Sequence, residues 1–315
     1  MNKNDTIFIA GHKGLVGSSV LSLLKKKGFK KIIYIDRKKL DLRDYKKVEI
    51  FFKKKKVDYM VMAAAKAGGI IANSSNQKDF FLENIEIQNS LLKLALKKKI
   101  KRTIYLGTSC IYPKFSKTPI TEDSLLTGKL EKTNQCYAIA KIAGIKLCET
   151  LYEDHNLDIL CLMPTNVYGY NDNFDKVNGH VIPAMISKFI EAKKKKLKFI
   201  KLLGTGKPIR EFIHSDDLAE AILKCLKVPK RNLQRKFKSK LPMINVGTGQ
   251  TISISNLSKS IAKFINFKGK IIFDKNFPDG THKKNLNSKN IYSLGWRPKV
   301  KLQEGLKKVI KNRLY

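Results

Sequence analysis

The 315-residue sequence predicts an α/β fold, a doubly wound parallel sheet with a smaller C-terminal lobe, on three observations. Short β-rich runs alternate with helix-length stretches through the first half, a glycine-rich turn joins the first run to the first helix, and the pattern loosens after Pro164. Runs that are apolar on both faces need helices on both sides, which is the mark of a parallel sheet.

In chain order the first four runs are Ile7-Phe8-Ile9-Ala10, Lys31-Ile32-Ile33-Tyr34-Ile35, Tyr59-Met60-Val61-Met62 and Thr103-Ile104-Tyr105-Leu106. Helices are expected between them over 15–27, 44–55 and 80–99, then a long one from about Ala138 to His155 and a further strand at 157–162. Beyond Pro164 come a polar Asn/Gly-rich stretch at 165–180, a helix near 182–196, and a region rich in Gly, Pro and Lys over 204–250. Within the last of these, the Lys-rich segment 227–241, with Pro229 and Pro242 near its ends, reads as a surface loop.

Composition narrows the function. With 43% hydrophobic residues and a mean hydropathy of -0.28, the chain can bury a substantial core. No apolar run has the length of a membrane span, and the N-terminus runs directly into the first strand, so a cytoplasmic protein is expected. The five cysteines lack C-x-x-C spacing, and neither a disulfide framework nor a metal site is expected. Of 64 basic residues only eight are Arg, and the lysines behind the net charge of +38 lie along nearly every polar segment. That distribution suits a solvated surface better than base-edge readout, so no nucleic-acid partner is expected, although the charge favours an anionic substrate.

The turn Ala10-Gly11-His12-Lys13-Gly14-Leu15-Val16-Gly17 lies between strand and helix. There its glycines let backbone N–H groups approach a pyrophosphate at the helix N-terminus, the arrangement of a Rossmann dinucleotide site. Asp36 closes the second strand, where a carboxylate would bind the ribose 2′-hydroxyl of NAD; Arg37 beside it and Lys13 in the turn would suit the 2′-phosphate of NADP. The residues leave that choice open.

Tyr137 and Lys141 are four apart on an expected helix and share a face. The ammonium is expected to lower the phenol pKa, letting Tyr137 exchange a proton with a carbonyl or hydroxyl. Thr108, just past the strand end, can hold the same oxygen, and Cys110 two positions on is either a packed small side chain or a group that pulls a proton from carbon.

Glycine turn, strand-end Thr and Y-x-x-x-K, with Asn84, Pro164-Thr165-Asn166-Val167-Tyr168-Gly169, the segment Arg210 to Asp217 and Asn245-Val246-Gly247-Thr248-Gly249, resemble the extended short-chain dehydrogenase/reductases from about residue 5 to 310. The match narrows at Ala63-Ala64-Ala65-Lys66-Ala67-Gly68-Gly69-Ile70, Ser109-Cys110-Ile111-Tyr112-Pro113, the run from Tyr137 to Glu149, and His180-Val181-Ile182-Pro183-Ala184, which look like the GDP-L-fucose synthase family. That resemblance implies epimerisation at C3 and C5 of GDP-4-keto-6-deoxy-D-mannose and then NADPH-dependent reduction at C4, with Cys110 and His180 as base and acid and Thr108, Tyr137 and Lys141 at the ketone.

It also implies cofactor contacts from Gly11 to Gly17, Asp36, Arg37, Asp41, Leu42, Leu106, Gly107, Thr108, Ser109, Lys141, Pro164, Thr165, Asn166, Val167 and His180. Substrate contacts are implied at Val181, Lys188, Leu203, Arg210 and Lys284, and the assembly implied is a homodimer through the helices near 84–98 and 138–155. The expected division is an NADP(H)-binding domain over 1–166, with returning segments around 210–226 and 243–249, and a mainly substrate-binding lobe over 167–315. The chain departs from the family pattern with Thr108 for Ser, Leu203 for Trp, Lys188 for Arg, and His282, Asn285 and Asn287 near Lys284. Ser109-Cys110 stands where a 4,6-dehydratase would carry an Asp-Glu pair. His214, Asp216 and Asp217 read as structural hydrogen-bonders at a helix start.

Overall fold

The structure, a computed structural model, describes residues 1–277 and 279–314. Its first half runs β1 (Ile7–Ala10), α1 (Leu15–Lys26), β2 (Ile32–Ile33), α2 (Tyr45–Phe52), β3 (Tyr59–Met62), α3 (Ile70–Ser75), α4 (Gln77–Lys98), β4 (Arg102–Leu106), α5 (Gln135–His155) and β5 (Ile159–Pro164). The second half continues with β6 (Asn166–Tyr168), α6 (Val181–Lys194), β7 (Phe199–Leu203), β8 (Ile209–His214), α7 (Ser215–Lys227), α8 (Lys230–Lys236) and β9 (Met243–Val246). It ends with β10 (Thr251–Ser253), α9 (Ile254–Ile265), β11 (Lys270–Asp274), β12 (Lys283–Lys284), α10 (Lys289–Ser293) and α11 (Leu302–Leu314).

A parallel sheet in the order β2-β1-β3-β4-β5-β9 forms the centre. Alternate residues of each strand feed opposite cores, as the two-residue period of a strand requires. Ile7, Ile9, Val61, Ile104, Leu106, Leu160 and Leu162 pack with Val20 and Leu24 of α1 and with Leu218 and Ile222 of α7. Phe8, Met60, Met62, Tyr105 and Cys161 pack on the other face with Val48 and Phe52 of α2, Leu91 of α4 and Ile145 of α5. The sheet is therefore doubly wound. Because β1 lies between β2 and β3, the winding reverses beside the C-terminal end of β1, and ligands of such sheets bind in the crevice this creates.

A third core joins Tyr168 to Ile186 and Phe189 of α6, Leu257 and Ile261 of α9, and Leu306 of α11. Beside it β8 pairs with β6, β10 and β12, and β7 pairs with β11. Caps set several boundaries: Asp44 accepts from the Lys47 N–H at 3.1 Å to start α2, Ser253 accepts from the Asn256 N–H at 3.1 Å to start α9, and Asn156 and Asn266 adopt the left-handed conformation that ends α5 and α9.

Two expectations are corrected. The second strand is only Ile32–Ile33, because as the edge strand beside β1 it pairs over two residues and its side chains are half-buried. The segment expected as a loop over 227–241 holds α8, which Pro229 opens with a favourable φ and which buried Leu233 pins to the core.

Candidate active site

At the crevice the glycine turn is fixed by contact. Gly11 has φ +84°, and a Cβ there would stand 2.6 Å from the Ala64 backbone nitrogen; one at Gly17 would stand 2.1 Å from the Gly11 carbonyl oxygen. Only glycine fits. Gly14 is the N-cap of α1 and offers no side-chain acceptor, so the N–H groups of the first turn are left for an incoming anion. This uncapped, close-packed cradle fits a dinucleotide pyrophosphate.

Around the ribose position Lys13 is ion-paired with Asp36, which holds the Asp36 carboxyl below its usual range. The pair offsets the negative charge that would repel a 2′-phosphate. Arg37 bonds Glu83 at 3.1 Å, Arg43 bonds Asp41 at 2.6 Å, and Lys66 bonds Glu83 at 2.6 Å, forming a chain of charges along the same edge. His12 lies against Tyr34 with ring centroids 4.9 Å apart, and Leu42 joins the core. At the end of β5, the Thr165 hydroxyl and the Asn166 amide both donate to the Glu211 carbonyl, at 3.0 and 2.8 Å, tying this segment and Val167 to β8.

α5 is clamped against β4. A Cβ at Gly144 would meet the Tyr105 hydroxyl at 2.2 Å; that hydroxyl donates to Gln88 at 2.9 Å, and Gln88 donates to the Ala140 carbonyl at 2.9 Å. This fixes Tyr137 and Lys141 beside the strand end at Leu106, Gly107 and Thr108. The Tyr137 phenol bonds Thr108 and lies near Cys110, and burial pushes its pKa well up. The expected lowering by Lys141 is thus not met: the buried Lys141 ammonium donates instead to the Leu106 carbonyl at 2.9 Å, and desolvation brings its own pKa down to about 8.

Thr108 also accepts from the Cys110 N–H at 3.2 Å, opening the single turn that contains buried Ser109. Cys110 itself is half-buried, and its sulfur receives the Asn134 amide at 3.4 Å. Phe80 packs edge-on to Tyr137 at 6.2 Å, and beyond it lies Gly68, just before the start of α3. The Gly69 N–H donates to the Asn178 carbonyl at 2.9 Å, so the Tyr137 region is linked by contact to the segment that ends in His180. His180 is the N-cap of α6; its Nδ1 stands 3.4 Å from Asp172 Oδ1.

The substrate candidates come from the second half of the chain. Val181 and Lys188 lie seven apart on one face of α6, and burial lowers the Lys188 pKa. Arg210 and Lys284 are register partners on β8 and β12. Arg210 is largely desolvated, which lowers its pKa, while Cys110, Asp279 and Glu131 nearby work in the opposite direction. Leu203, at the end of β7, is exposed.

Sequence reasoning missed Asn134, Asp172 and the fully buried Glu211, whose carboxylate accepts from the N–H groups of Thr248, Gly249 and Leu286 at 2.6 to 2.7 Å. No spacing marks these three. His214 is the N-cap of α7, and Asp217 accepts from Lys299 and Val300, both structural bonds. Among the described residues there is no cluster of metal-ligating side chains and no helix long and apolar enough to cross a membrane.

Known proteins resemble this chain along most of its length. Residues 7–247 match the model of the NAD dependent epimerase/dehydratase family. The chain is 44% identical to a probable GDP-L-fucose synthase 1 of Oryza sativa subsp. japonica over 97% of this chain and 90% of that one. It is 41% identical to a GDP-L-fucose synthase of Escherichia coli strain K12, over 95% and 94%. Among solved structures, a GDP-D-glycero-L-gluco-heptose synthase from Campylobacter jejuni, determined in the presence of NADPH, superposes with TM-score 0.91 at 31% identity over all of both chains. A GDP-L-fucose synthetase from Naegleria fowleri bound to NADP superposes with TM-score 0.87 at 25% identity, covering 100% of this chain and 95% of that one.

Proposed function

The chain belongs to the NAD dependent epimerase/dehydratase family, and on that premise we propose that it converts GDP-4-keto-6-deoxy-D-mannose to GDP-L-fucose by C3 and C5 epimerisation and NADPH-dependent C4 reduction. The observation that carries the reading is the joining of Thr108, Cys110 and Tyr137 at the end of β4, beside a glycine cradle suited to a dinucleotide.

Both carbons to be inverted flank the C4 carbonyl, so removing either proton places charge on the same oxygen. The Tyr137 phenol, kept protonated by burial, and the Thr108 hydroxyl donate to that oxygen. Cys110, as the base, takes the proton from one face of the carbon, and His180, as the acid, returns one to the other. The dinucleotide held by the glycine cradle would supply the hydride at C4, and Tyr137 is the residue that gives its proton to the carbonyl oxygen. Lys141, whose ammonium is held by the Leu106 carbonyl, lies one helical turn from Tyr137 and would turn to the cofactor ribose when the dinucleotide is bound. Lys188, Arg210 and Lys284 supply the positive charge that a nucleoside diphosphate needs.

NADPH rather than NADH is favoured by the Lys13–Asp36 pair and by the NADP and NADPH of the two solved relatives. A cytoplasmic homodimer is part of the same reading, with Leu82 of α4 and Ile139 of α5 exposed on the helices that would meet; mass measurement in solution tests it. The function itself is tested by incubating the protein with GDP-4-keto-6-deoxy-D-mannose and NADPH and identifying the sugar by NMR. GDP-L-fucose is expected; a GDP-6-deoxy sugar reduced at C4 without inversion would make the protein a plain 4-reductase.

A further inference from the structure

Asp172 sits between β6 and α6 in a polar stretch whose neighbours Asn171 and Asn173 are exposed, yet its own side chain is only 3% exposed. Its Oδ1 accepts from the Asn173 N–H at 2.8 Å and faces His180 Nδ1 at 3.4 Å; its Oδ2 is buried and has no hydrogen-bond partner among the described residues. A carboxylate withdrawn from water in this way is costly unless proton donors answer it; the Asn173 N–H is one, and the His180 ring is the side chain within reach to be a second. The His180 side chain is 41% exposed, so the imidazole spans the buried acid and the open site.

We propose that Asp172 is the positioning residue for His180. Resting on the epimerase reading above, the proposal is that the Asp172 carboxylate accepts a hydrogen bond from Nδ1–H. This fixes one tautomer and one ring orientation, leaving Nε2 as the atom that gives a proton to carbon and takes it back from water. No bond other than N–H, O–H and C–H is made or broken. The rest of the loop is held around Asp175, whose N–H donates to Asn173 Oδ1, whose side chain accepts from the N–H groups of Val177 and Asn178, and whose carbonyl accepts from Gly179, so Asp172 is not needed for those bonds.

The test measures deuterium entry at C3 and C5 of the keto sugar in D2O, together with NADPH binding, for the wild type, Asp172→Asn, Asp172→Glu and His180→Gln. Asp172→Asn should slow exchange about tenfold to a hundredfold through kcat, with KM and NADPH affinity unchanged, and Asp172→Glu should recover part of the rate. Nitrogen-15 NMR of the histidines, with His180 assigned by its loss in His180→Gln, should show the Nδ1–H tautomer in the wild type and its loss in Asp172→Asn. Unchanged exchange in Asp172→Asn, or an Nε2–H tautomer in the wild type, would overturn the proposal. Should Asp172→Asn fail to bind NADPH, the wild-type tautomer and the Asp172→Glu rate decide instead. A wild type that shows no exchange at C3 and C5 would overturn the epimerase reading itself, a different result from normal exchange in the variant.

Discussion

The glycine turn with Tyr137 and Lys141, and the group formed by His180, Lys188, Arg210 and Lys284, are held by different means. The first stands on β1, α1, β4 and α5 and is fixed by close contacts that leave no room for a side chain, against backbone at Gly11 and Gly17 and against Tyr105 and Gln88 at Gly144. In the second, His180 stands at the start of α6 and Lys284 on a two-residue strand, so these two are fixed by single side-chain bonds, such as Asp172 to His180, or by a short register, while Lys188 and Arg210 project from α6 and β8. Steric fixation cannot be relaxed by a small shift, whereas a single hydrogen bond can be lost with the fold intact. Substitutions that place an atom where the first region has no room should therefore abolish binding or folding, and those that remove a single functional group, in either region, should mainly change rates and affinities.

The largest effect is expected at Gly17. Gly17→Ala would drive a methyl into the Gly11 carbonyl, and NADPH binding by calorimetry should become undetectable. Gly14→Ala, whose methyl would meet the same oxygen at 3.4 Å, should bind within about tenfold of the wild type. Equal losses in the two would erase the steric contrast. Next comes Tyr137→Phe, which keeps the ring packed on Phe80 but removes the proton donor; kcat should fall about 10²- to 10⁴-fold with NADPH affinity unchanged.

In the second region, Arg210→Met and Lys284→Met should each raise the substrate KM about tenfold or more while leaving kcat near normal, the pattern of an interaction made equally in ground and transition states. A fall in kcat with KM unchanged would instead place these cations at the reacting carbons. The smallest effect is on pH. Burial lowers the Lys141 pKa to about 8, so in the free enzyme the ammonium is lost as pH rises through that value. Reduction of a pre-epimerised 4-keto sugar should then show kcat/KM falling above about pH 8, and the Lys141→Met variant should show no such limb.

This division also marks what the sequence makes legible. The sheet, the glycine turn and the Tyr137–Lys141 face follow from periodicities of two and 3.6 residues and from the backbone freedom of glycine, all local properties. The edge strand β2 and the helix α8 went astray because each is decided by what it packs against: two register pairs for one, buried Leu233 for the other. Asn134 and Asp172 were invisible because their bonds to Cys110 and His180 join segments whose approach no local pattern encodes. The expected electrostatic pull of Lys141 on Tyr137 failed for a related reason. Helical spacing puts the two on one face, but the depth of burial and the Leu106 carbonyl decide where the ammonium goes.

Cys110 joins the two regions, since it sits on the β4 turn beside Tyr137 and faces the charge of Arg210. The decisive measurement is therefore the fate of GDP-4-keto-6-deoxy-D-mannose in D2O with NADPH and the Cys110→Ser variant, read by NMR against the wild type. The wild type should yield GDP-L-fucose carrying deuterium at C3 and C5, and the variant should bind NADPH normally yet give neither deuterium at those carbons nor fucose. A variant that forms deuterated GDP-L-fucose at the wild-type rate would contradict the assignment of proton transfer to Cys110.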